Sequence, residues 1–150
     1  EMCMRDCDLA SELYGLFLAG SRQYSWAYFL HTNISLAEAQ TAKKAHIAAK
    51  LRLEKGMEVF EIGCGWGGLA LSLARDYDVR VFGVTLSEEQ HKFASARAKA
   101  EGLSDRVQFG LMDYREVTGT YDRIVSIGMF EHVGAPHFKE YFRHVQDRLM

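Results

Sequence analysis

Hydrophobic positions recur in two different rhythms along the chain, and the change of rhythm divides it. Leu9, Leu13, Leu16 and Phe17 fall at helical spacing, predicting a short helix over 8–19 that "AGSRQ" ends. The next stretch, "RQYSWAYF", crowds Tyr24, Trp26, Tyr28 and Phe29 together, and the alternation of Tyr24, Trp26 and Tyr28 suggests one face of an extended segment. Core, membrane-facing surface and site wall all remain open for such a cluster. Ser35 followed by Glu38 forms a capping box, in which the serine oxygen accepts a free amide of the first turn while the glutamate reaches back. A long helix is therefore expected over 36–52.

Past "EKG" the rhythm shortens. "MEVFEIG" reads as a strand, "GWGGLALSLARDY" as a helix and "VRVFGV" as a second strand, which makes a βαβ unit. Ser87 and Gln90 repeat the capping pattern, so "EEQHKFASARAKAE" predicts a helix ended by Gly102. "RVQFGL" and "YDRIVSIG" supply two further strands, and a last helix begins near Pro136. Strands alternating with helices predict an α/β fold with a parallel, doubly wound sheet, whose ligand site lies beyond the carboxyl ends of the strands. The one boundary falls near Gly56, between a helical cap over 1–55 and the sheet over 56–150.

Composition adds exclusions. The 150 residues are 48% hydrophobic and 25% charged, ordinary for one globular domain. A net charge of -2 and the lack of a basic stripe argue against nucleic acid, leaving Lys43, Lys44 and Arg97, Lys99 as clusters that could meet an anionic surface. No apolar run approaches the roughly 20 residues that span a bilayer, and "EMCMRDCDLA" lacks the features of a signal peptide, so a cytoplasmic protein is expected. Cys3, Cys7 and Cys64 show no zinc-like pairing, so no metal is implied.

The chemistry concentrates at "EIGCGWGG". Gly63, Gly65 and Gly67 stand where the first strand turns into its helix, and glycine there lets the backbone turn tightly and lets a ligand approach the main chain. Spacing does not separate a dinucleotide from S-adenosylmethionine, because Gly68 completes the dinucleotide pattern. Glu61, two residues before the first glycine, is typical of S-adenosylmethionine-dependent methyltransferases. A carboxylate for a ribose is expected some 20 residues farther on, yet the sequence offers Thr85.

Together "EIGCGWGGLA", "GVTLSEEQ", "MDYRE" and "YDRIVSIGMFEHVG" resemble the cyclopropane-fatty-acyl-phospholipid synthase family, which includes the mycolic acid cyclopropane synthases, over nearly the whole chain. The resemblance implies a Rossmann-like methyltransferase fold, with 1–55 as cap and cofactor lid and 56–150 as the first part of the S-adenosylmethionine-binding domain, like the first half of an enzyme. It also implies transfer of a methylene unit to the cis double bond of unsaturated acyl chains in phospholipids. Tyr24 and Ser25 would touch the methionine end; Gly63, Cys64, Gly65, Trp66 and Gly67 would form the loop around the cofactor; Thr85, Leu86 and Gln90 would face ribose and adenine; Asp113 and Tyr114 would lie at the adenine edge. Glu131 would be catalytic, helping to hold a bicarbonate that acts as general base. His132, His137 and His144 are expected to be structural or peripheral, while Met129 and Phe130 are candidates for an acyl pocket.

Two departures stand out. Trp26 occupies the place of the family's cysteine at the reaction centre, and "RDCDL" replaces the histidine and tyrosine usual before "DL". Partners implied by the resemblance are an unsaturated phospholipid or acyl substrate, a peripheral contact with the inner face of the membrane, and a second copy in a homodimer. The alternatives are a related C- or N-methyltransferase, or a non-catalytic module that binds cofactor or lipid.

Overall fold

The computed structural model describes residues 25–150; the helix expected over 8–19 and the side chain of Tyr24 lie outside them. Along the described chain run α1 (Leu36–Leu51), β1 (Glu58–Ile62), α2 (Gly68–Tyr77), β2 (Arg80–Thr85), α3 (Glu88–Ala100), β3 (Val107–Leu111), β4 (Arg123–Ser126) and α4 (Phe138–Arg148). Short 3₁₀ turns occupy Tyr114–Glu116, Phe130–His132 and Ala135–His137. The strands are parallel throughout and lie in the order β3-β2-β1-β4. The order reverses at β1, and the loops that follow β1 and β4 therefore diverge, opening a crevice at the carboxyl ends of the strands.

The alternation of side chains along each strand assigns the two layers. Val59, Val81, Val107 and Val125 point to one face, where Leu69, Leu71 and Leu73 of α2 and Ala98 of α3 cover them. Phe60, Ile62 and Val84 point to the other, against Tyr141 and Val145 of α4. Every residue of α2 from Gly68 to Ala74 is buried, because the helix is enclosed between the sheet and α1. Strands buried on both faces need continuous apolar runs, which explains why "EVFEI" and "RVFGVT" do not alternate with polar residues.

Local signals set the helix ends. The capping box at α1 forms as expected: Glu38 N donates to Ser35 Oγ at 3.2 Å, and Ser35 N to Glu38 Oε2 at 2.8 Å. At α3, Ser87 Oγ likewise accepts from Gln90 N, but the Gln90 side chain engages Thr85. Gly102 follows α3 in the left-handed region, as expected of its stop. The last carbonyl of α1, on Leu51, accepts from Arg123 Nε of β4 at 2.6 Å, which ties the cap helix to the sheet.

One expectation is corrected. Lys43 and Lys44 are not a surface cluster: Lys43 is buried against Ser25, and Lys44 Nζ donates to Ser72 Oγ of α2 at 2.8 Å. Arg97 is paired along its own helix with Glu101 at 3.0 Å.

Phe60 is fully buried and stacks on Phe82 and Tyr121, with ring centroids 6.1 and 5.0 Å away. Replacement Phe60→Ala should lower stability by about 3–5 kcal/mol, read by urea unfolding, since the aromatic stack leaves a cavity that neighbouring strands cannot close. A loss under about 1 kcal/mol would show that the second layer does not carry the sheet.

Candidate functional site

Between β1 and α2 the backbone passes through Gly63, Gly65 and Gly67, all at positive φ (+77, +53 and +76°). Gly63 N and Cys64 N both donate to the Val84 carbonyl, at 3.1 and 2.9 Å, so the loop is fixed to the neighbouring strand. The glycines then do different work. A Cβ at Gly65 would meet nothing within 4 Å, whereas one at Gly67 would lie 2.7 Å from the Phe109 ring and 2.9 Å from Ala94. Gly65 faces an open cleft of about 720 Å³, while Gly67 serves the approach of α2 to α3 and β3. That volume lies within the range of small-molecule and cofactor sites.

The floor of the cleft carries a buried acid. Glu61, only 4% exposed at the end of β1, receives the amide of Ala70 in the first turn of α2, where Gly67 supplies no side-chain cap. Its Oε2 is buried with no hydrogen-bond partner among the described residues. Burial therefore pushes its pKa up to about 8. Cys64 is driven the same way, by burial and then by Glu61, and stays a thiol. Trp66 is buried edge-on to Phe93, 5.3 Å between centroids.

The β2 side is internally organised. Thr85 Oγ1 donates to Gln90 Oε1 at 2.8 Å and accepts from Ser87 N at 3.2 Å, while Leu86 is exposed on the rim. Asp113, after β3, caps the following 3₁₀ turn and pairs with Arg115 at 2.6 Å; that contact holds its carboxyl below the usual range. Tyr114 lines the cleft and packs against Tyr141 and His144, with ring centroids 5.6 and 5.5 Å away.

The far wall comes from the end of β4 and from the segment before α1. A Cβ at Gly128 would lie 3.7 Å from Ser25 Cβ and 3.9 Å from Glu131 Oε1, so serine and glutamate converge there. Trp26 borders the cleft but is 95% exposed. Tyr28 lies over His46 of α1, stacked at 4.8 Å, a packing contact.

Every sequence-predicted site residue within the described chain, Gly67 excepted, lines this one cleft. Two expectations about neighbours change. His132 borders the cleft together with Glu131, because both sit on a tight 3₁₀ turn, and His137 reaches it as well. Of the acyl-pocket candidates, Met129 lines the cleft, whereas Phe130 turns into a cluster with Phe138, Tyr141 and Phe142. Sequence reasoning missed Lys43 and Met112; for Lys43 no local signal exists, since its partner lies 18 residues away in sequence.

Comparison with known proteins gives this cleft its relatives. A solved mycolic acid cyclopropane synthase, complexed with SAH and CTAB, superposes with a TM-score of 0.91 at 34% identity, over 95% of this chain and 50% of its own. Coclaurine N-methyltransferase bound to N-methylheliamine and SAH gives 0.88 at 25% identity, over 98% and 45%. The fold is thus that of the S-adenosylmethionine-dependent methyltransferases. Among curated proteins, the cyclopropane-fatty-acyl-phospholipid synthase of Escherichia coli strain K12 is 48% identical over 95% of this chain, and a probable fatty acid methyltransferase of Pseudomonas putida 48% over 85%. The chain spans 36% and 33% of their lengths, about a third of each. The family model described as mycolic acid cyclopropane synthetase matches residues 2–150, nearly the whole chain, and the chain belongs to that family.

Proposed function

We propose that this chain forms the cofactor half of an S-adenosylmethionine-dependent enzyme that adds a methylene unit to the cis double bond of unsaturated acyl chains in phospholipids. The observation that carries the reading is Glu61: a buried carboxyl with an unused oxygen, facing a cleft whose glycine loop leaves the main chain bare. A carboxyl buried there, acceptor-only once it is ionised, fits the ammonium of the methionine end. Gly65 leaves room beside it, and the Thr85–Gln90 pair borders the side expected for ribose and adenine. When bound, the cofactor supplies an electrophilic methyl group on sulfur. The residues of the chain have to hold the alkene in line with it and exclude water. Glu131, on the 3₁₀ turn after β4 and, like Ser25, close to Gly128, would take its part in removing the proton that closes the ring, with a bicarbonate ion as the base it holds. The division into a cap and lid over 1–55 and a sheet domain over 56–150 belongs to the same reading, as do a peripheral approach to the membrane's inner face and a homodimer.

A second reading is favoured by Trp26. An indole in place of the family's cysteine alters the surroundings of the base, and the related protein of Pseudomonas putida is named a probable fatty acid methyltransferase. In that reading the same cleft delivers a methyl group that is retained.

Calorimetric titration with S-adenosylhomocysteine should give saturable binding that Gly65→Asp abolishes. A Cβ at position 65 meets no atom within 4 Å, so the variant should fold with only about 1–2 kcal/mol of left-handed strain while its carboxylate enters the cleft. Binding that survives the change would remove the loop from the site.

The pKa of Glu61 is raised on folding from 4.5 to about 8, so its contribution to stability is greatest below pH 4.5 and falls as pH rises toward 8. Glu61→Gln should therefore resemble the parent near pH 4.5, be more stable by roughly 3 to 5 kcal/mol at pH 8, and yet bind S-adenosylhomocysteine at least about tenfold more weakly. Thermal unfolding across that range and calorimetry check the two halves; equal stability at pH 8 would mean that Glu61 is not a buried acid.

With the whole enzyme, a trideuteromethyl donor and a monounsaturated phospholipid, mass analysis of the product should find two deuteriums, because ring closure removes one. Retention of all three would decide for methylation.

A further inference from the structure

Helix α1 buries polar residues where a surface helix would turn them to solvent. Gln40 and Lys43, one turn apart, are 4% and 8% exposed, and both reach across to a single residue. Gln40 Nε2 donates to the Ser25 carbonyl at 3.2 Å; Lys43 Nζ donates to Ser25 Oγ at 2.9 Å and to the same carbonyl at 3.4 Å. A further backbone bond, from Tyr28 N to Ala39 O at 3.1 Å, fixes the segment after Ser25 to the same helix. No carboxylate pairs with Lys43 among the described residues, although both Lys43 and Ser25 line the cleft.

A buried ammonium without a counterion lowers stability, and here burial holds its pKa down to about 8. What it gives in return follows from its donor inventory. An ammonium has three N–H groups and no acceptor, so Ser25 Oγ must accept from Lys43, and the serine O–H is left to donate elsewhere. The pair thus presents a positive charge and a hydroxyl donor to the cleft that Glu61 also lines, and the group that fits it is a carboxylate.

We propose that Lys43 is a positioning residue of the cleft, which clamps Ser25 and commits its hydroxyl to donate to the carboxylate of the bound ligand's amino-acid end. This rests on the cofactor reading above and names the residue through which α1 takes part in it. Lys43 contributes through Ser25, so its removal should be felt only by ligands that carry the carboxylate.

The test is a double-mutant cycle with two probes: S-adenosylhomocysteine, and 5′-methylthioadenosine, which keeps the nucleoside and the thioether but lacks the amino-acid end. Lys43→Met should fold, since an apolar side chain of similar length removes a buried charge. Calorimetry should find S-adenosylhomocysteine weakened about 10- to 100-fold by Lys43→Met and by Ser25→Ala, with 5′-methylthioadenosine unchanged within about threefold. The double variant should lose little more than Ser25→Ala alone. If Lys43→Met weakens both probes equally, or neither, Lys43 only supports the fold and the proposal falls while the cofactor reading stands; fully additive losses also overturn it, because Lys43 would then act without Ser25. A parent protein that binds neither probe overturns the cofactor reading and this inference together.

Discussion

A carboxyl group with no access to water stands at the end of the central strand, and much of the architecture around it is its consequence. Glu61 sits on the face of β1 that turns toward α2, where a hydrophobic residue would pack without penalty. The amide of Ala70 compensates part of the cost, and in doing so gives α2 the first-turn partner that Gly67 cannot supply. That arrangement requires the chain to leave β1, pass below the acid and enter α2 within a few residues. Left-handed backbone at Gly65 and Gly67 is what makes so short a path possible. A stabilising substitution at Glu61 is thus close at hand, and the acid is held at the expense of the fold.

Sheet order decides where that acid is useful. With β2 on one side of β1 and β4 on the other, the connections diverge to opposite faces, and the crevice between them collects residues from strand ends far apart in sequence. Glu61, Thr85, Asp113 and Glu131 follow the four strands in turn or end them, so each contributes to one cleft without any two being neighbours in the chain. A solved relative that shares only a quarter of its residues keeps the same fold, which places the constraint in topology.

Features whose causes are local were the most legible. The box at Ser35 and Glu38, the stop at Gly102 and the strand-loop-helix around Gly65 each depend on residues within one turn, and each forms as its sequence predicts. Gln90 was half legible: its amide is capped by Ser87, but the partner of its side chain is Thr85, fixed by the way β2 ends. Adjacent lysines at 43 and 44 read as a solvated pair, and only the long-range return of Ser25 and Ser72 reverses that. His132, expected to be structural or peripheral, borders the cleft beside the expected Glu131, because both sit on one tight 3₁₀ turn.

The two polar walls of the cleft are complementary in kind. Its floor offers an acceptor with a spare oxygen, while the wall built from α1 offers a charged donor and a hydroxyl that accepts from that donor and keeps its O–H free to donate. Neither half satisfies the other, since no ion pair joins Glu61 to Lys43. Each therefore holds its charge preference at some cost to folding, one pKa pushed up to about 8 and the other down to about 8. A ligand that carries an ammonium and a carboxylate on one carbon relieves both costs in a single binding event, and shifts both groups toward their charged forms as it does so. On this argument the amino-acid end provides more of the affinity than its size suggests, and the glycine loop serves chiefly to let it approach.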